Sequence, residues 1–131
     1  MLTAETKKEL LAIIDNIAEL EKRRNELRQQ QYDARDRINV IRSRALVQIA
    51  VGKDSKDRLI YPSEQVREAA LVIALDQNSE YRTLRDKLRL LETKLQEITI
   101  EHHRLSDRKA LLMLEAGFVT SMPNEPASSG E

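Results

Sequence analysis

The sequence predicts an all-α protein, and three observations carry that reading. Glycine and proline number only three each in 131 residues, so long stretches contain nothing that breaks a helix. Aromatics make up 3% of the chain and tryptophan is absent, whereas charged residues reach 34%. A Leu/Ile/Ala/Glu/Arg/Lys-rich chain of this kind suits long helices and coiled coils better than a compact mixed fold. Finally, the apolar residues recur at alternating steps of three and four, the spacing of a helical seam.

Thr3 is placed to cap a first helix, with Glu5 in the first turn where the helix dipole favours an acid. No Gly or Pro follows until Gly52, which predicts a helix over residues 3–51, about 70 Å long at 1.5 Å per residue. One set of seam positions is Leu10, Ile17, Arg24, Gln31, Ile38 and Ala45; the other is Ile13, Leu20, Leu27, Ala34, Ile41 and Gln48. The middle of this seam is polar. Residues 52–62 (GKDSKDRLIYP) form a connection opened by a C-capping glycine, in which Leu59, Ile60 and Tyr61 are apolar enough to tuck back onto the helix ends. Ser63 caps a short helix over 63–76, and the polar run Asp76-Gln77-Asn78-Ser79-Glu80 marks either a new helix start or a bend. The last helix, 79–116, has the cleanest period: Tyr81, Leu84, Leu88, Leu91, Leu95, Ile98, His102, Leu105, Lys109 and Leu112. Gly117 closes it, and 118–131, with two of the three prolines, is expected to be a flexible tail.

Two long seams joined by one connection predict a single domain over 1–117, a long antiparallel coiled-coil hairpin whose short middle helix forms a small head at the connection. If the arms pair end to end, paired residue numbers sum to about 120–126, which sets Ile41 near Leu84, Gln31 near Leu95 and Arg24 near His102. Near the connection the period is lost. Residues 45–51 (ALVQIAV) and 66–75 (VREAALVIAL) are apolar on nearly every side. A two-helix seam cannot bury all of them, so Leu46, Val47, Val51, Val72, Ile73 and Leu75 are the candidate dimer or partner interface.

Charge excludes some functions and leaves one open. Twenty-two basic residues balance twenty-two acidic ones, but residues 21–58 hold eleven basic against six acidic. Arg28, Arg35 and Arg42 recur every seven residues and form one stripe, the candidate contact for a phosphate backbone. Pairing with Asp33, Asp36 and acids of the facing helix, and the lack of stacking aromatics, weigh towards a solvated ion-paired face instead. Catalysis has little to build on: there is no cysteine and no glycine-framed serine, and Gly52 alone makes no phosphate loop. His102 and His103 project about 100° apart and cannot share a metal. His103 with Asp107 has the spacing of a ligand pair but lacks a third partner. The chain is expected to be a non-enzyme without cofactor or metal. It has no apolar run long enough for a membrane span and no signal-peptide layout at Met1–Glu5, so a cytoplasmic protein is expected.

The stretch from Gly52 to Leu114 also carries a pattern of short motifs. Gly52-Lys53 opens the connection, Ser63-Glu64-Gln65-Val66-Arg67 starts a helix, and Asn78-Ser79-Glu80-Tyr81-Arg82-Thr83-Leu84 precedes a Glu/Leu-rich helix. This half of the chain resembles small coiled-coil hairpin proteins encoded by phages and prophages, some beside recombination genes. The resemblance implies a coiled-coil fold, adds weight to nucleic-acid contact and implies nothing about catalysis. The expected function is a non-enzymatic structural or adaptor protein, a homodimer that binds another protein through its arms or head; the alternative is a nucleic-acid accessory protein.

Overall fold

The computed structural model describes residues 3–117 and is all-helical: α1 spans Ala4–Val51, α2 spans Glu64–Gln77 and α3 spans Ser79–Glu115. The expected tail, 118–131, lies outside the described residues. Most helix ends have an identifiable cause, but Gly52, expected to cap the end of α1, takes no left-handed φ. The Thr3 hydroxyl accepts from the Thr6 backbone N–H at 3.0 Å, and the Ser63 hydroxyl accepts from Val66 N–H at 3.2 Å. Gly117 takes a left-handed φ of 81° after α3, with its N–H on the Leu114 carbonyl.

Asn78 decides between a bend and a break, and the helix breaks. Its extended backbone (φ −83°, ψ 114°) ends α2, while its side-chain oxygen accepts the Tyr81 N–H at 2.8 Å and so begins α3. One residue therefore closes one helix and opens the next.

The chain forms two compact units, Met1–Glu26 with Leu95–Glu131, and Leu27–Lys94. In the first, Leu10, Ile13, Leu105 and Leu112 form the core, with Ile17, Leu20 and Met113 packed against it. In the second, Ile41, Ile49, Leu71 and Leu75 form the core, joined by Ala45, Tyr61, Ala70, Ala74, Tyr81 and Leu84. Ile41 and Leu84 thus share a cluster.

Two details depart from expectation. Ile49, not Gln48, is the buried residue at the end of α1. A straight α-helix has 3.6 residues per turn, so a strict seven-residue repeat drifts around it. The step Ile41–Ala45–Ile49 restores the apolar face. In the connection only Tyr61 tucks in. Leu59 and Ile60 are exposed, because their segment pairs with itself: Lys53 bridges Leu59, Ile60 N–H donates to the Gly52 carbonyl at 3.0 Å, and Asp54 N–H donates to the Arg58 carbonyl at 2.8 Å. Asp57, at φ 64°, turns the chain, and the Asp54 carboxylate holds the Lys56 and Arg58 N–H groups.

Candidate interaction surface

In Leu27–Lys94 the core takes only one side of each helix. Leu71 and Leu75 point into it from α2; Ile41 and Ile49 point into it from α1. The apolar residues between them have nowhere to go. Val47 is 61% exposed, Val51 64%, Val72 59% and Ile73 57%, and Leu46 is also exposed. Leu75 is different. At 6% exposure it belongs to the core and is no part of an outer surface, a correction to the expected set. The reason is its four-residue step from Leu71, which puts both on the face that meets α1.

The exposed residues do not form one undivided patch. Val40, Val47 and Val51 are spaced seven and four apart and share one face of α1, about opposite Ile41 and Ile49. Val66 and Ile73 share the outer face of α2, with Val72 to its side. Leu46 lies on the other flank of α1, four residues beyond Arg42.

That other flank carries the arginines. Arg28, Arg35 and Arg42 are all exposed, and among the described residues none of them lies in an ion pair. The acids expected to neutralise them do not. Asp33 accepts from the Gln29 amide at 3.0 Å, and Glu80 is taken by Arg37, whose Nε and Nη2 donate at 2.8 and 2.9 Å. This two-pronged hydrogen bond, with the charges of Arg37 and Arg44 behind it, holds the Glu80 carboxyl below its ordinary value, and holds the Arg37 guanidinium above its own. Tyr32, which carries no weight in the seam pattern, stands on the arginine flank at 62% exposure. Its position four residues past Arg28 and three before Arg35 was the available signal.

In Met1–Glu26 with Leu95–Glu131, polar groups link α1 and α3. Arg108 donates to Glu9 through Nε (3.0 Å) and Nη2 (3.2 Å), which raises the arginine. His102 Nε2 lies 3.2 Å from Glu21 Oε1, and its Nδ1 lies 3.5 Å from the Ser106 hydroxyl. Arg24, expected beside His102, leaves its buried Nε without a hydrogen-bond partner among the described residues; Glu21 goes to the histidine instead. A serine, a histidine and a glutamate in a row suggest nucleophilic chemistry. Ser106 and His102 both sit inside α3, where the backbone N–H groups donate along the helix. A cleft of about 250 Å³ nearby is lined by Asn16, Glu19, Leu20, Arg23, Glu101, Arg104 and Leu105. Its Arg104 is bound to Glu101 through two hydrogen bonds of 2.6 and 2.7 Å, which lowers the glutamate and raises the arginine.

His103 and Asp107 are exposed, and among the described residues no group of three or more His, Cys, Asp or Glu side chains is placed to hold a metal. No described helix is long and apolar enough to cross a membrane. Comparison with protein-family models, with curated proteins and with solved structures gives no match for this chain.

Proposed function

We propose that the chain is a non-enzymatic adaptor that self-associates through the outer apolar face of Leu27–Lys94 and so presents its helices to a protein partner. The observation that carries this reading is the exposure of Val47, Val51, Val72 and Ile73 around a core that is already closed. Exposed apolar side chains grouped on the outward faces of α1 and α2, on a chain this rich in charge, have a free-energy reason to be covered. The occupant is a second copy. Val40, Val47 and Val51 repeat at seven and four, the spacing at which one helix packs along another, and a face on a single helix meets its own copy about a two-fold axis.

The antiparallel coiled-coil arrangement of the arms is part of the same proposal. Within the first unit it is supported by Glu9 meeting Arg108 and Glu21 meeting His102, where the partner number falls as the number along α1 rises. Within the second, Arg37 meets Glu80. The resemblance to phage-type coiled-coil hairpins agrees with this but adds no partner.

Replacing Val47 and Val51 together with glutamate tests the proposal, since neither residue touches the core. Loss of association with helix content intact supports it. An assembly state unchanged by the double substitution overturns it.

A further inference from the structure

The arginine flank of α1 has a use that self-association does not absorb. From Arg28 the exposed residues at alternating four and three are Tyr32, Arg35, Asn39, Arg42 and Leu46, a single stripe along one helix. Its arginines, like six others among the described residues, have no acidic partner and are free to meet a ligand. Two features separate the stripe from an ordinary solvated face. Its tyrosine is exposed to solvent rather than in the core, in a chain with only three tyrosines and one phenylalanine. The unit that carries it, Leu27–Lys94, holds fourteen basic residues against ten acidic ones.

We propose that Arg28, Tyr32 and Arg35, extended by Arg42, form a binding site for single-stranded nucleic acid. Each part has a role. Arg28 and Arg35 are seven residues apart, about 10.5 Å along the helix axis, which is close to the rise of three stacked nucleotides at about 3.4 Å each. Two guanidiniums at that distance contact the backbone on either side of Tyr32. The phenol ring between them offers a π-face to an unpaired base, a contact that is indifferent to sequence because every base has one. Asn39 offers an amide to a base edge or phosphate between Arg35 and Arg42. A duplex hides its base faces, so it engages only the arginines. Asp36, four residues past Tyr32 and next to Arg35, is an acid on this side of the helix and opposes binding.

The test is fluorescence anisotropy of labelled, mixed-sequence DNA and RNA single strands with the full chain, at low salt and over a salt series. A duplex, heparin and poly-glutamate serve as competitors. Binding of either single strand is expected, and the arm that binds more tightly identifies DNA or RNA as the ligand. Tyr32→Ala is expected to weaken binding by about ten-fold or more, while Tyr32→Phe stays within about two-fold. Arg28→Ala and Arg35→Ala each make the slope of log affinity against log salt shallower by about 0.7; Lys56→Ala, in the connection, leaves it unchanged. Asp36→Asn tightens binding. All these positions are exposed, and circular dichroism checks that helix content is kept. No binding of either strand at low salt overturns the proposal. So does equal affinity for duplex, equal competition by heparin or poly-glutamate, or a Tyr32→Ala variant that binds like the parent.

Discussion

Arg37 on α1 grips Glu80 on α3 with two parallel hydrogen bonds, 2.8 Å from Nε to Oε2 and 2.9 Å from Nη2 to Oε1. The residues are forty-three apart in sequence, and the fork-to-carboxylate match fixes geometry in a way a lysine could not. Both side chains remain about half exposed, so the pair serves register more than stability. Because the pair holds Glu80 below its ordinary 4.5, its contribution is complete above that value and is lost as pH falls through the lower folded value. Arg37→Gln is therefore expected to lower the melting temperature slightly at neutral pH, with the difference from the parent closing as the solution is acidified through the carboxylate range. A difference that grows on acidification would contradict the assignment. Thermal melts of both proteins over a pH series make the comparison.

Asn78 works for two helices at once, so its loss should cost more order than a surface substitution does. Asn78→Ala removes the acceptor of the Tyr81 N–H and is expected to destabilise the fold by about 1 kcal/mol. Asn78→Asp keeps the acceptor and should retain most of that stability. Urea unfolding followed by circular dichroism separates the two.

Leu75 and Ile73 are two residues apart and of equal size, yet one is core and the other surface. Leu75→Ala opens a cavity among Ile41, Ile49 and Leu71 and is expected to cost roughly 2–5 kcal/mol. Ile73→Ala should change the stability of the isolated chain by less than about 0.5 kcal/mol. Denaturant unfolding at low protein concentration is the measurement, and equal losses at the two positions would show that the core is drawn wrongly.

The turn at Asp57 makes a local prediction. Its φ of 64° is left-handed, a region that asparagine and aspartate tolerate and β-branched residues do not. Asp57→Val should destabilise the connection by about 1–2 kcal/mol, whereas Asp57→Asn should be close to neutral. Amide hydrogen exchange at Asp54 and Ile60, whose N–H groups bond across the turn, reports the loss locally.

The helices were legible because their signals are local. The absence of Gly and Pro before Gly52, the Ser63 cap and the polar run around Asn78 act within one turn of the chain. Legibility ended where periodicity did. In ALVQIAV and VREAALVIAL nearly every side is apolar, so the period alone does not tell Leu75, which is buried, from Ile73, which is not. The exchange of Gln48 for Ile49 follows from the mismatch between seven residues and two helical turns, which accumulates with length. The pairing of Glu21 with His102 rather than Arg24 depends on side-chain reach across two helices, and spacing along one of them does not encode it. The arginine stripe was readable from its seven-residue repeat. That its arginines would lack acidic partners, and that Tyr32 would stand open beside them, emerges only with the fold.

The exposed valines and isoleucine around a closed core are the centre of the functional reading, and solution mass tests them most directly. Light scattering after size exclusion, with the chain at tens of micromolar, is predicted to give twice the 15.1 kDa of one chain and to fall back to 15.1 kDa when Val47 and Val51 are both glutamate. A parent protein that stays at 15.1 kDa across that range would contradict self-association through this face.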